Sequence, residues 1–446
     1  MNGSSLFSDL EFRGLIKQST SPDLQEFAEK QKLTLYAGFD PTANSLHVGS
    51  LLPILTLKRF QNAGHRVIAL VGGATGMIGD PTGKSQERTF LSGRILEENV
   101  SGIRRVIEHF LKTDGENQAT LVNNYDWFQG IGYLQFLREV GKHFTVNHMM
   151  AKESVRARLE DRDHGISYTE FSYMLLQAYD YVVLNEREGC NLQIGGSDQW
   201  GNITAGVELI RRIRAHRENR AEDKSDSEEK ESVFGLTQPL VMKADGTKFG
   251  KSESGTVWLT ADRTSPYQLY QFFVGTSDAD VGTLLRYFTF LTHDEIRRLD
   301  DCVKNEPGKR EAQLVLAREM VKLIHGDHAL ENALQATKAL FGAEISSLSR
   351  DVLLDAFAGA PTTLKPRATL TAGISITDLL TESGLCASKG AARKDIQGGG
   401  IYLNNVRVED PATLVFEKDL LAAVCVVVRK GKKSYHLFRF DENSHG

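Results

Sequence analysis

Residues 33–50 read LTLYAGFDPTANSLHVGS, and the order of residue types in that stretch decides the fold. Leu33 to Phe39 alternates apolar residues with others, as a strand does, and Leu51 to Phe60 follows with helical spacing. Arg66-Val-Ile-Ala-Leu-Val71 is a second apolar run, ending on Gly72 and Gly73. Ala119–Val122 and Asn191–Ile194 look like two more strands. Strands separated by helices, with glycines at the strand ends, predict an α/β fold on a parallel sheet. Ligands of such sheets sit at the carboxyl ends of strands, where this sequence puts its glycines and polar residues.

A chain of 446 residues suggests two or three domains, and 41% apolar with 25% charged residues excludes wholesale disorder. There are 53 Lys and Arg against 58 Asp and Glu, a net charge of −5. That balance excludes a protein held to nucleic acid by bulk charge, while leaving local basic patches open. The four cysteines are far apart and form no CxxC pair, which argues against a structural zinc site and for a reducing compartment. No apolar run reaches the roughly 18 residues of a membrane helix. The opening MNGSSLFSDLEFRGLI lacks the pattern of a secretory signal, and its early Asp9 and Glu11 argue against a transit peptide. The expectation is a cytoplasmic protein with no membrane partner.

Composition also divides the chain. Residues 1–265 carry the strand–helix alternation, and within them 217–232 holds four basic and seven acidic residues with nothing to bury. From 266 to 358 the pattern is helical, 359–370 reads as a linker, and 371–440 returns to mixed α and β.

Five stretches combine residue types that carry chemistry. In the first, Gly49 and Ser50 open a helix, with Ser50 as N-cap and Pro53 in the first turn. Its free backbone N–H groups suit a phosphate, with Thr42 and His47 as further donors and Gly49 admitting a nucleotide; a loop histidine beside a capping serine reads the same way. The second, Val71 to Ser85, misses the GxxxxGK[ST] phosphate loop by one position, because Ile78 stands five before Gly83. It remains a glycine-rich loop carrying Asp80, Lys84 and Arg88, fit to fold over a polyphosphate or to serve as a surface turn. In the third, Tyr173, Gln177 and Asp180 form one stripe of an otherwise apolar helix. Such a stripe needs a partner, either protein side chains or a polar small molecule. The fourth, LQIGGSDQWG at 192–201, places Gly196, Asp198 and Gln199 at a strand end. It suits an adenosine whose ribose meets a carboxylate, or a tight turn with Asp198 as a cap. The fifth has an Asp245-Gly246 turn that exposes Lys248, Lys251 and Ser252 on a flexible loop. Cations on a movable loop suit a transition state that redistributes phosphate charge, and a plain hairpin looks alike.

In order along the chain, these stretches resemble a known family. His47-Val-Gly-Ser50 is similar to the HIGH signature of class I aminoacyl-tRNA synthetases, and Lys248-Phe-Gly-Lys-Ser252 to their KMSKS signature. YAGFDPTANSLHVG, GDPTGKS, LLQAYDY and LQIGGSDQWGNITAG resemble bacterial-type tyrosyl-tRNA synthetases in particular. The resemblance covers nearly the whole chain, the charged insertion being the main exception. It implies a Rossmann-like catalytic domain, a helical anticodon-side domain and a small α+β RNA-binding module. It further implies a ligase that joins L-tyrosine to tRNA(Tyr) with ATP as substrate, Mg²⁺ travelling on the ATP phosphates, and no dedicated metal site.

By resemblance, Tyr36 and Asp180 would meet the phenol hydroxyl of tyrosine, and Asp80, Tyr173 and Gln177 its ammonium group, with Gln199 near the carboxylate. Gly38, Asp40, His47, Gly49, Ser50, Gly196, Asp198 and Lys251 would surround ATP. Thr42, His47, Lys84, Arg88, Lys248 and Lys251 would grip the leaving pyrophosphate. Ser50 stands where the signature has its second histidine, so its contact to ribose would be shorter or through water. Phenylalanine would leave Tyr36 and Asp180 unpaired in a dry pocket, which removes the need for an editing domain.

Residues 371–446 hold ten basic and nine acidic residues, so clustering rather than net charge is the RNA signal. Lys389, Arg393 and Lys394 share one helix, and Arg429, Lys430, Lys432 and Lys433 form a second patch. The family is dimeric through the catalytic domain. The stretch Gly132 to Met150, with Leu134, Phe136, Leu137, Val140 and Phe144, could supply the apolar face or pack internally. Two rival readings are an RNA-binding protein that has lost catalysis and a P-loop NTPase. Intact His47, Asp80, Lys248 and Lys251 weigh against the former, and the failed phosphate-loop spacing against the latter.

Overall fold

The computed structural model describes residues 5–82, 92–115, 117–152, 155–156, 159, 165–218, 232–252, 255–340, 345–346, 348–431 and 434–441, with backbone alone for 218, 251 and 252. Lys84, Arg88, Lys432, Lys433 and most of the 217–232 insertion lie outside the described residues. Two compact units emerge, the first comprising the residues up to Arg263 with Ser277–Ala312, the second Thr264–Thr276 with Gln313 onward.

The first unit is built on a six-stranded sheet. Its strands are β1 (Gln18–Ser19), β2 (Thr34–Phe39), β3 (Arg66–Val71), β4 (Thr120–Asn123), β5 (Leu192–Gly196) and β6 (Phe234–Gln238), in the order β1-β6-β5-β2-β3-β4. Strands β2 to β6 are parallel to their neighbours, and only the two-residue β1 runs antiparallel, against β6. Covered on both faces, β3 is buried from Val67 to Val71, which is why it reads as an unbroken apolar run. The helix Leu51–Asn62 links β2 to β3 and is buried at nine of its positions, so it shows no clean polar face. From β2 the chain proceeds outward to β3 and β4, then returns to lay β5 on the other side of β2. The strand order therefore reverses at the β2–β5 boundary, where a crevice opens at the carboxyl ends.

The helices Asp278–Phe288 and His293–Asn305 belong to this first unit. The segment joining them is held by buried arginines: Arg13 and Arg59 both donate to the Thr289 carbonyl, at 3.0 and 2.6 Å. Asp9 compensates them, accepting from Arg13 Nε at 2.8 Å and Arg59 at 3.3 Å.

The second unit contains the helices Pro266–Val274, Asp327–Leu340 and Arg350–Ala356 and a five-stranded sheet. The sheet order is Val406–Arg407, Ile401–Leu403, Cys425–Lys430, Ser434–Asp441, Thr362–Pro366. The last of these lies within the stretch whose composition reads as a linker, and it pairs parallel with Leu437–Asp441. An edge position explains the mismatch: a proline ending an edge strand breaks no ladder, so Pro366 fits there. Helices Ile376–Glu382 and Lys389–Gln397 close one core over this sheet, around Leu379, Ile396, Val426 and Phe438.

Candidate active site

The polar residues of the crevice come chiefly from β2, β5, one helix and two turns. β2 carries Tyr36 near its middle, and the β2–β5 register pairs Tyr36 with Gln193, so both side chains leave the sheet on one face. The helix Tyr168–Glu188 supplies the polar stripe. Ser167 caps its start, accepting from the Glu170 N–H at 3.2 Å, and Gly189 ends it at φ +63°. Together with the Gly72–Asp80 turn and the Gly196–Gln199 turn, they enclose a cavity of about 220 Å³. It is lined by nine of the sequence-predicted residues: Tyr36, Gly38, Asp40, Asp80, Tyr173, Gln177, Asp180, Gly196 and Gln199.

The stripe is at once paired by protein and turned to the cavity. The Tyr173 hydroxyl donates to Asp40 at 2.9 Å, and Asn202 donates to Gln177 Oε1 at 3.0 Å. Asp180 accepts from Asn124 at 3.2 Å and from the Trp127 indole N–H at 2.9 Å. Only 2% exposed, its carboxyl is pushed up to about 8 by burial, with the Asp40 charge adding to the rise and the two donors opposing it. Burial likewise lifts the Tyr36 phenol, helped by the Asp180 charge. The Tyr36 hydroxyl and Gln193 Oε1 are buried without a hydrogen-bond partner among the described residues. A phenolic O–H, an amide oxygen and a carboxyl group on one wall suit a ligand hydroxyl that both donates and accepts. Elsewhere along the cavity Asp80 accepts from Gln199 at 2.7 Å and from the Thr82 N–H at 2.9 Å. Carboxylates at Asp40 and Asp80 suit a ligand cation.

Beyond the cavity lies the exposed rim. Asp198 stands there; desolvation by the surrounding chain and then the Asp80 charge raise its carboxyl, while Lys248 pulls it down. His47 and Thr42 are exposed, Thr42 following Asp40 with its N–H on the Asp40 carbonyl at 2.9 Å. Ser50 occupies the N-cap position, but its side chain makes no capping bond, because a 3₁₀ turn over Val48–Ser50 precedes the helix. The Val48 N–H donates to the Val257 carbonyl at 3.0 Å, and the Val257 N–H to the Gly250 carbonyl at 2.9 Å. A Cβ on Gly49 would stand 3.8 Å from the Phe249 carbonyl oxygen. The HVGS turn and the KFGKS loop are thus in contact. Gly246, at φ +81°, closes the hairpin that carries the loop, with Lys248 exposed. Lys251 pairs through its backbone with Thr256.

Sequence reasoning missed Asn124, Trp127, Gln193 and Asn202. A glutamine inside the apolar run of β5 was a readable sign for Gln193. No local pattern marks Asn124 or Trp127, whose partner is more than fifty residues away.

In the second unit, Arg393 and Lys394 are exposed on one helix. Lys389 pairs with Asp378, and Lys430 with Asp395 at 2.7 Å. Arg429 is buried, stacked at 3.7 Å over the Tyr402 ring and donating to Asn405 and the Gly431 carbonyl. In the first unit, Phe136 and Val140 enter the core, while Tyr133, Leu134, Val146, Met150 and Tyr168 are exposed.

A parallel sheet that reverses at its ligand crevice, with a glycine-opened helix packed against a lysine-bearing loop, defines a class I aminoacyl-tRNA synthetase fold. Residues 28–342 match the family described as tRNA synthetases class I (W and Y), and residues 355–438 match the tyrosine--tRNA ligase SYY-like C-terminal domain. The tyrosine--tRNA ligase of Roseiflexus castenholzii is 49% identical over 438 residues, spanning 98% of this chain and 99% of its own. That of Geobacillus stearothermophilus is 48% identical over 437 residues, with the same shares. Among solved structures, the C-terminally truncated Aspergillus nidulans mitochondrial tyrosyl-tRNA synthetase superposes with a TM-score of 0.66 at 34% identity, over 76% of this chain and 94% of that one. The chain belongs to the tyrosyl-tRNA synthetase family.

Proposed function

We propose that the chain activates L-tyrosine with ATP, forming tyrosyl-adenylate and pyrophosphate, and then transfers the tyrosyl group to the terminal adenosine of tRNA(Tyr). One observation carries this: a single cavity gathers Tyr36, Asp180, Tyr173, Gln177 and Asp80 beside Gly196. Tyr36 and Asp180 receive the phenol hydroxyl, and Asp80, Tyr173 and Gln177 hold the ammonium group. The tyrosine carboxylate, directed by Gln199, attacks the α-phosphate in line. Gly38, Asp40, His47, Gly49, Ser50, Gly196 and Asp198 surround the adenosine and α-phosphate. Thr42, His47, Lys84, Arg88, Lys248 and Lys251 take up charge on the departing pyrophosphate. No side-chain nucleophile is needed; orientation and charges matched to the transition state supply the rate. Mg²⁺, bound to the ATP phosphates, supplies further charge neutralisation. The lysines at the rim are donors to phosphate oxygens rather than metal ligands.

The helical region 266–358 serves the anticodon side, and 371–440 binds tRNA through Lys389, Arg393, Lys394, Lys430, Lys432 and Lys433, Arg429 being committed to the module's own packing. Two copies associate through the catalytic domain, and the exposed Tyr133, Leu134, Val146 and Tyr168 support that placement. No described helix is long and apolar enough to cross a membrane, and a cytoplasmic site of action fits the reaction. Tyrosine-dependent exchange of labelled pyrophosphate into ATP tests the proposal. Exchange with tyrosine and not with phenylalanine is expected. Its absence, with tRNA binding retained, would point to a protein that keeps the fold without the chemistry.

A further inference from the structure

The carboxamide of Gln238 takes no part in anything described so far. Gln238 ends β6, is 1% exposed, and among the described residues neither its Nε2 nor its Oε1 meets a hydrogen-bond partner. Buried side-chain amides are paired in nearly all folded proteins, so an amide orphaned at both atoms requires a reason. Its direction follows from the register. Gln238 pairs with Gly196 across the parallel β5–β6 ladder. Paired residues of neighbouring strands project to the same face, on strands about 4.8 Å apart. On that face a Cβ added to Gly196 would come within 2.5 Å of Asp198 Oδ1 and 3.2 Å of Leu240 Cδ2. Gln238 therefore shares its side of the sheet with the glycine and the carboxylate assigned to the adenosine. It also stands at the root of the hairpin that carries the KFGKS loop, closed by the Phe249 N–H on the Val241 carbonyl at 3.0 Å.

We infer that Gln238 reads the base of the nucleotide, its amide donating to and accepting from the 6-amino edge of adenine. The inference rests on the reading of this crevice as the ATP site. A carboxamide needs an acceptor and a donor side by side. Adenine presents that pair as N7 and the N6 amino group, whereas guanine presents two acceptors on the same edge. Gly196 leaves out the side chain that would stand between the base and β6. Leu240 leans over the same corner, and its side chain is 41% exposed. A rotamer change of an exposed side chain is fast compared with turnover, and it uncovers the amide.

The test compares pyrophosphate exchange supported by ATP with that supported by purine riboside triphosphate, which lacks the 6-amino group. It is run on the wild-type chain and on Gln238→Ile, which removes both polar atoms while keeping bulk. The wild type's preference for ATP is expected to fall about tenfold in the variant, equivalent to about 1.4 kcal/mol. The KM for tyrosine should stay unchanged, and the melting temperature should stay level or rise, because the orphaned amide is gone. An unchanged ATP preference overturns the Gln238 assignment alone. A wild-type chain with no exchange overturns the reading of the crevice, and this inference with it. Should Gln238→Ile not fold, Gln238→Met, an unbranched side chain of similar length without the amide, must lose the same preference; if it keeps that preference, the assignment falls.

Discussion

Gly250 lies against the HVGS turn: a Cβ at position 250 would touch the Gly49 nitrogen at 3.5 Å and press slightly on Val48 Cγ2 at 3.3 Å. Gly250 also has φ +96°, a conformation that other residues enter only under strain of roughly 1–2 kcal/mol. The two signature segments thus touch at a residue whose backbone conformation favours glycine. Gly250→Ala should shift the loop relative to the HVGS turn. Adenylate formation, followed by pyrophosphate exchange, should slow by at least about tenfold. Tyrosine affinity, set by a cavity that neither glycine lines, should hold within about twofold. An equal loss of both would show that the loop contact supports the whole fold rather than the nucleotide side.

Lys248 stands exposed at the rim and within charge reach of Asp198. A cation that acts on pyrophosphate as it leaves contributes to the transition state and little to ground-state tyrosine binding. Lys248→Ala should therefore lower the rate of adenylate formation by about 10²-fold or more, with an unchanged KM for tyrosine. A defect in tyrosine binding alone would contradict the role.

Asp180 gives a pH signature with a definite sign. Its folded pKa of about 8 lies above the ordinary 3.8, so between those values the folded chain keeps a proton that the unfolded chain has lost. That contribution is full below pH 3.8, falls as pH rises towards 8 and is level beyond it. Asp180→Asn removes the titrating group, so the melting-temperature difference between variant and wild type should drift across this window by several degrees. A pH-independent difference would mean that the carboxyl stays ionised. The same variant should lose discrimination against phenylalanine, since an amide at that site pairs less well with a phenol; unchanged discrimination removes the residue from substrate selection.

Leu134 is 79% exposed and lies in sequence beside Tyr133, whose hydroxyl stands 3.2 Å from that of Tyr168. Large apolar side chains grouped on a surface mark a contact with another molecule. Leu134→Lys should break the proposed association of two copies, seen by sedimentation as a monomer, without disturbing the core to which Phe136 and Val140 belong. A variant that remains dimeric places the interface elsewhere.

What the sequence revealed, and what it hid, follows from the range of the interactions. β2, β3 and the helix between them were legible because each is fixed by its own burial pattern. β1, two residues long, has no period to read and exists only because β6 pairs with it. The strand Thr362–Pro366 looked like a linker because edge strands tolerate proline and exposure. In the site, the stripe Tyr173, Gln177, Asp180 could be placed on one helix face, but what it met could not. Asn124 and Trp127 reach Asp180 only through the tertiary fold. Motif likeness supplied the rest: it connected the HVGS and KFGKS segments, some two hundred residues apart, before their backbones were seen in contact.

The C-terminal module separates charge that is available from charge that is spent. Arg393 and Lys394 are exposed on the helix Lys389–Gln397, whereas Arg429 is 7% exposed and committed to Tyr402, Asn405 and the Gly431 carbonyl. Truncating Arg429 would therefore remove packing and strand two acceptors, so Arg429→Ala should lower stability by about 2–3 kcal/mol, read from denaturant unfolding. Reversing Arg393 and Lys394 to Glu should leave stability within about 0.5 kcal/mol, because exposed charges support little of the fold. The double variant should keep full pyrophosphate exchange while losing tRNA charging, and its tRNA affinity should depend less steeply on salt, by about one unit of slope for each phosphate no longer neutralised. If charging survives the double reversal with its salt slope intact, the helix Lys389–Gln397 does not face the RNA backbone.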